Sequence, residues 1–93
     1  PLVKSNNDKL IEKSDKKLYL KVKDANQYKK IRTILLDTLK ISSGKDPVII
    51  YNEKNKGLIK IQKEYWVNTE EKFLILELEE LLGKENVVIK YLQ

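Results

Sequence analysis

The apolar residues of this chain change period in a fixed order, and that order restricts the fold more than any single motif does. Leu18, Leu20 and Val22 alternate with Tyr19, Lys21 and Lys23, the two-residue period of a strand buried on one face. Asp24 follows as a helix N-cap, with Gln27 three residues on in a capping-box arrangement. Tyr28, Ile31, Leu35 and Leu39 then fall at helical spacing, which predicts a helix over 25–41 that Ser42, Ser43 and Gly44 stop. Pro47 opens a second strand, Val48-Ile49-Ile50-Tyr51, whose unbroken apolar run fits a central strand buried on both faces. Asn52 to Gly57 make a turn, with Gly57 available for positive φ, and Leu58 to Ile61 return as the other arm of a hairpin. Tyr65-Trp66-Val67 is a short apolar patch ahead of a second helix, which Asn68 caps with Glu71 at the box position. Leu74, Leu78, Leu81 and Leu82 form the buried stripe of that helix and Gly83 ends it. Asn86 to Leu92 give a last strand, with Val87, Ile89 and Tyr91 on one face and Val88 and Lys90 on the other.

The resulting β-α-β-β-α-β order predicts an α+β two-layer sandwich, with two helices packed on a mixed or antiparallel four-stranded sheet. A ferredoxin-like sandwich is the obvious candidate, although element order alone leaves the strand order open. A length of 93 residues fits one domain. Residues 1–16 are polar and aperiodic and read as a linker or fraying end, leaving residues 17–93 as the folded module. Methionine is absent even at position 1, so Pro1 is expected to be a processed end or, as favoured here, the boundary of a piece excised from a larger protein. No apolar run approaches the ~18–20 residues of a membrane span, and no signal peptide is visible.

Cysteine and histidine are both absent, which removes disulfides, thiol nucleophiles, Cys/His zinc sites and every Ser-His or Cys-His triad. A cytoplasmic setting is compatible with this usage. The acidic run Glu77, Glu79 and Glu80 lies where the polar side of the second helix is expected, without the convergent geometry that a carboxylate dyad or metal site requires. Three glycines and no GxxxxGK[ST] or GxGxxG leave no phosphate-cradling loop. The expectation is therefore no catalytic, metal or cofactor-binding residue in this chain, no small-molecule substrate, and no enzyme activity of its own.

Two binding readings survive. Residues 1–63 carry 16 Lys/Arg against 7 Asp/Glu, whereas residues 64–93 carry 3 against 7. A basic front fits weak, salt-sensitive contact with single-stranded nucleic acid, and equally fits a lysine-rich coding habit. The element order resembles an RNA-recognition motif, in which sheet aromatics stack bases and lysines hold phosphates. Tyr19, Lys21, Lys23, Lys60 and Lys63 are the candidates, but the segment Lys56-Gly57-Leu58-Ile59-Lys60-Ile61 lacks the aromatics of that motif. The other reading is a protein partner near the second helix. At 100° per residue from Leu74, Leu76 falls near 200°, away from the core stripe. Tyr65 and Trp66 just before that helix, and Tyr91 and Leu92 at the end of the chain, complete the partner-binding candidates.

Several segments resemble, in order and spacing, the C-terminal domain of the bacterial replicative DNA polymerase III alpha subunit. Lys17-Leu18-Tyr19-Leu20-Lys21-Val22 is similar to the start of that module. Ser43-Gly44-Lys45-Asp46-Pro47-Val48-Ile49-Ile50-Tyr51 resembles its PG-x-x-PV-x-hydrophobic-Y segment, with Ser43 in place of the proline. Tyr65-Trp66-Val67 and the ending Leu81-Leu82-Gly83-Lys84-Glu85-Asn86-Val87-Val88 resemble its aromatic-V segment and its LLG-x-ENV close, and Pro1-Leu2 the boundary after the preceding OB-fold. The resemblance spans roughly residues 17–91. It implies a parent DNA-directed DNA polymerase, a nucleotidyltransferase using Mg²⁺ held by palm-domain aspartates that this chain lacks. It further implies a tethering module for DNA replication, packed with the rest of the alpha subunit and binding the clamp loader's tau subunit. Single-stranded nucleic-acid binding by a basic sheet face is the alternative, and a purely structural cap the third reading.

Overall fold

The computed structural model describes residues 15–91. The residues expected to form most of the linker, 1–14, and the expected contact residue Leu92 lie outside the described residues. Alternation makes the first element: β1 runs Lys16–Val22, with Leu18, Leu20 and Val22 buried and the residues between them half-buried. Asp24 then starts α1, Ala25–Leu39, by accepting a hydrogen bond from the Gln27 backbone N–H at 2.8 Å. The Gln27 side chain reaches back to the N–H of Lys23, one residue before the cap, at 2.6 Å. This is the expected reciprocal pairing displaced by one position. Leu35 and Leu39 are fully buried, with Tyr28 and Ile31 packed against the same core. The helix ends at Lys40, earlier than the expected stop at Ser42 to Gly44.

Those three residues do something else. Ser43–Asp46 form a short strand, β2, bridged on both ends to Val67. The Gly44 N–H donates to the Trp66 carbonyl at 3.1 Å, and the Asn68 N–H to the Ser42 carbonyl at 3.1 Å. A Cβ at Gly44 would lie 2.5 Å from the Val67 carbonyl oxygen, so this close approach of two backbones accepts glycine alone. Next come β3, Val48–Asn52, and β4, Gly57–Lys60. In the turn between them the left-handed residue is Lys56, φ 59°, and not Gly57 as the sequence suggested. The Asn55 side chain accepts from the Gly57 N–H at 2.7 Å and holds the turn in that shape.

A single 3₁₀ turn, Lys63–Tyr65, leads to Val67, which is fully buried, and then to α2, Lys72–Leu82. The capping expectation fails here. Asn68 spends its side chain on the Glu70 N–H, and Glu71, which stands at the N-cap of α2, makes no side-chain cap hydrogen bond. What anchors the lead-in is Asp46, buried in β2, whose Oδ2 accepts from both the backbone N–H and the hydroxyl of Thr69, at 2.9 and 2.7 Å. Lys16 and Glu70 pair nearby at 2.9 Å, and that hydrogen bond raises the Lys16 ammonium above its ordinary pKa. Leu74, Leu78 and Leu82 bury the inner face of α2, and Gly83, φ 99°, ends it. The Asn86 side chain donates to the Leu82 carbonyl at 2.7 Å, satisfying a carbonyl the helix end would leave open. This is the local chemistry of the Leu82-Gly83-Lys84-Glu85-Asn86 segment. A second 3₁₀ turn, Lys84–Asn86, feeds β5, Val87–Tyr91.

The fold is α+β, two helices on a four-stranded mixed sheet of order β4-β3-β1-β5. β1 pairs parallel with β3, Leu18 opposite Val48 and Leu20 opposite Ile50, and antiparallel with β5, Leu18 opposite Ile89. β3 pairs antiparallel with β4. This departs from the ferredoxin-like candidate. There the strands joined through a helix are split by another strand, whereas here β1 and β3, joined through α1, are direct neighbours. Two substitutions test the account by chemical denaturation. Leu20→Ala, in the middle of the central strand β1 that pairs with β3 and β5, is expected to cost about 2–5 kcal/mol of stability. Gly44→Ala, on the surface yet against the Val67 carbonyl, should cost about 1–3 kcal/mol; a neutral Gly44→Ala would show that the two backbone segments are free to separate.

Candidate functional site

The sheet has two faces, and the helices cover one. On the other, strict alternation puts Lys17, Tyr19 and Lys21 of β1 beside Ile49 and Tyr51 of β3, with Leu58 and Lys60 of β4 and Val88 and Lys90 of β5 at the flanks. The register makes rows of them. One row reads Lys60, Ile49, Tyr19 and Val88, and the next Leu58, Tyr51 and Lys21. Tyr19, Tyr51, Lys21 and Lys90 line a shallow groove of about 450 Å³ that Leu58 and Val88 flank and Glu85 and Asn86 close at one end. Lys90 lies over the Tyr19 ring, 5.1 Å from its centre, and Lys21 reaches Glu53 at 3.6 Å.

A second groove, about 240 Å³, adjoins the first at the end of the sheet where β3 begins. Lys17, Ile49, Lys60 and Trp66 line it. Trp66 is fixed there by a hydrogen bond from its indole N–H to the Ile61 carbonyl at 3.2 Å, and Lys63 lies over its ring at 5.9 Å. Trp66 therefore groups with the lysines of the sheet and not with Leu76. Tyr65 packs against the core with Lys40 over its ring at 5.2 Å. Of the five candidates for nucleic-acid contact, Tyr19, Lys21 and Lys60 share the open face, Lys63 stands at its end beside Trp66, and Lys23 lies past the end of β1. The sequence reading missed Tyr51, Lys17 and Lys90. The signal for Tyr51 was present in its two-residue step from Ile49, but the continuous apolar run masked it.

The helical side offers a different surface. Leu76 faces outward from α2 and is 57% exposed, as is Phe73 one turn before it. Leu76 and Ile75, with Thr69 and Lys72, form a shallow depression of about 250 Å³. Phe73 was absent from the sequence candidates although the same angular count places it 100° off the Leu74 stripe. Tyr91, at the end of β5, is also exposed and pairs across the strands with Lys16. Three candidates for partner contact, Trp66, Leu76 and Tyr91, thus sit on separate parts of the surface. Among the described residues no group of three or more acidic side chains is placed to hold a metal ion, and no helix is long and apolar enough to cross a membrane.

No family model matches this chain, and no solved structure matches it. It is similar to the DNA polymerase III subunit alpha of Halalkalibacterium halodurans, 34% identical over 86 residues. That stretch covers 86% of this chain and 7% of the polymerase subunit, so the chain corresponds to a small part of a much larger protein.

Proposed function

We propose that this chain is the C-terminal, non-catalytic module of a replicative DNA polymerase alpha subunit, and that it holds the polymerase in its replication assembly by binding another protein. The observation that carries this reading is the extent of the similarity: most of this chain aligns, at 34% identity, with only 7% of a polymerase subunit. A shared stretch of that size fits an appended module. The Mg²⁺ site and the nucleotide chemistry then belong elsewhere in the parent, and the setting is the bacterial cytoplasm. The partner that the family resemblance implies is the clamp loader's tau subunit.

The contact surface of this reading is the outer face of α2. Phe73 and Leu76 are large, apolar, one helical turn apart and more than half exposed. Each gains by leaving water against a partner, and apolar anchors of this kind dominate interface energies. Labelled chain titrated with the C-terminal part of tau should bind saturably, with little change between about 50 and 200 mM salt. Leu76→Glu and Phe73→Glu should each weaken binding more than about tenfold. The double change Lys21→Glu with Lys60→Glu should leave it within about twofold, since rim and remote charges contribute little. Absence of binding, or binding indifferent to Leu76→Glu and Phe73→Glu, overturns the reading.

A further inference from the structure

We infer that the open face of the sheet is a second binding surface, for single-stranded nucleic acid, separate from the α2 face and independent of the tether. Three features of the face point to that ligand. The first is aromatic. Tyr19 and Tyr51 stand on the two central strands and line one groove, and Trp66 lines the groove that adjoins it. Rings presented by the middle of a sheet are platforms for unpaired bases, which stack on them whatever their sequence. From Tyr51 to Val48 at the start of β3 the face runs about 10 Å along the strand, room for two or three stacked bases.

The second feature is charge. Lys17, Lys21, Lys60 and Lys90 surround the two tyrosines, with Glu53 beside Lys21 and Glu85 in the lining of the groove. The third is a cross-strand conflict. Lys17 and Lys90 are directly opposite each other on β1 and β5. Like charges so placed destabilise a sheet, and Lys90 turns its ammonium over the Tyr19 ring, at 5.1 Å. A phosphate between the two lysines removes the repulsion and frees the Tyr19 ring for a base. An acidic peptide would satisfy the lysines and leave the aromatic rings without partners. Duplex DNA would offer phosphates with its bases already stacked. Single-stranded nucleic acid uses both components.

The test is fluorescence polarisation of a labelled dT oligonucleotide of about 12 nucleotides titrated with the full chain, from about 50 to 200 mM salt. Binding should be measurable at the low end and fall steeply as salt rises. Tyr51→Ala should weaken it roughly five- to a hundredfold, whereas Tyr51→Phe, which keeps the ring, should stay within about twofold. Lys60→Glu and Lys90→Glu should each reduce the slope of log affinity against log salt by about one. Leu76→Glu should change nothing, which separates this surface from the tether whether or not tau binds. Thermal melts of each variant confirm that it folds. No binding at 50 mM salt overturns the inference, as does unchanged binding by a folded Tyr51→Ala. Equal competition by polyglutamate, or by a duplex of the same length, would also overturn it, because either would leave the face a simple cation patch.

Discussion

The rest of this molecule is arranged around β1, one of the two central strands of the sheet. It is paired along one edge with β3 and along the other with β5, so every backbone group in its middle is satisfied inside the sheet. Leu18, Leu20 and Val22 then point to one side and are sealed by the leucines of both helices. Because side chains alternate with a period of two, Lys17, Tyr19 and Lys21 have no choice but the other side. A one-residue slip would bury two lysines and expose two leucines, a cost no small core could offset. The same register that builds the core therefore builds the open face, and the two cannot be altered independently along this strand.

The element order was legible because each element is announced locally. Leu18-Leu20-Val22 gives a period of two, Leu35-Leu39 and Leu74-Leu78-Leu82 give a period near 3.6, and Asp24 and Gly83 mark ends that the structure uses. Strand order was not legible, since the helix between β1 and β3 can return beside its starting strand or one place further on, and no local signal distinguishes the two. Asn68 and Glu71 had the letters of a capping box but not the role. The buried Asp46, 23 residues away, holds Thr69 instead and fixes how the chain enters α2. A tertiary hydrogen bond of that kind outweighs a local cap and has no sequence signature. Gly57 shows the same thing at smaller scale, with Asn55 setting the turn so that Lys56 takes the left-handed position.

The candidate contact residues were legible in proportion to how far their placement depends on one element. Leu76 was readable from an angular count along a single helix, and Tyr19 and Lys21 from alternation along a single strand. Trp66 was not. Its position depends on Gly44 accepting the backbone of Val67, 23 residues on, and on the indole turning back to the Ile61 carbonyl, neither of which a strand or helix period announces. These carry it away from α2 and set it beside Lys17 and Lys60. Tyr51 was read as core because its neighbours are core, whereas β3 is buried unequally: Ile50 is sealed by the helices, and Tyr51 opens onto the groove.

The uneven charge of the chain also has a structural sense. The acidic residues of the rear are concentrated on α2 and its approach, where Glu70, Glu71, Glu77, Glu79 and Glu80 surround Phe73 and Leu76 along the chain. Phosphate is repelled there, and an apolar partner loses nothing by the presence of acids at its rim. The lysines of β1, β4 and β5 lie on the opposite layer, where an anionic strand would be drawn to the tyrosines. A two-layer sandwich places these surfaces back to back, so occupation of one does not obstruct the other. Such a module would sit between a protein on its helical side and a nucleic-acid strand on its sheet side, and the affinity of the second alone would follow salt.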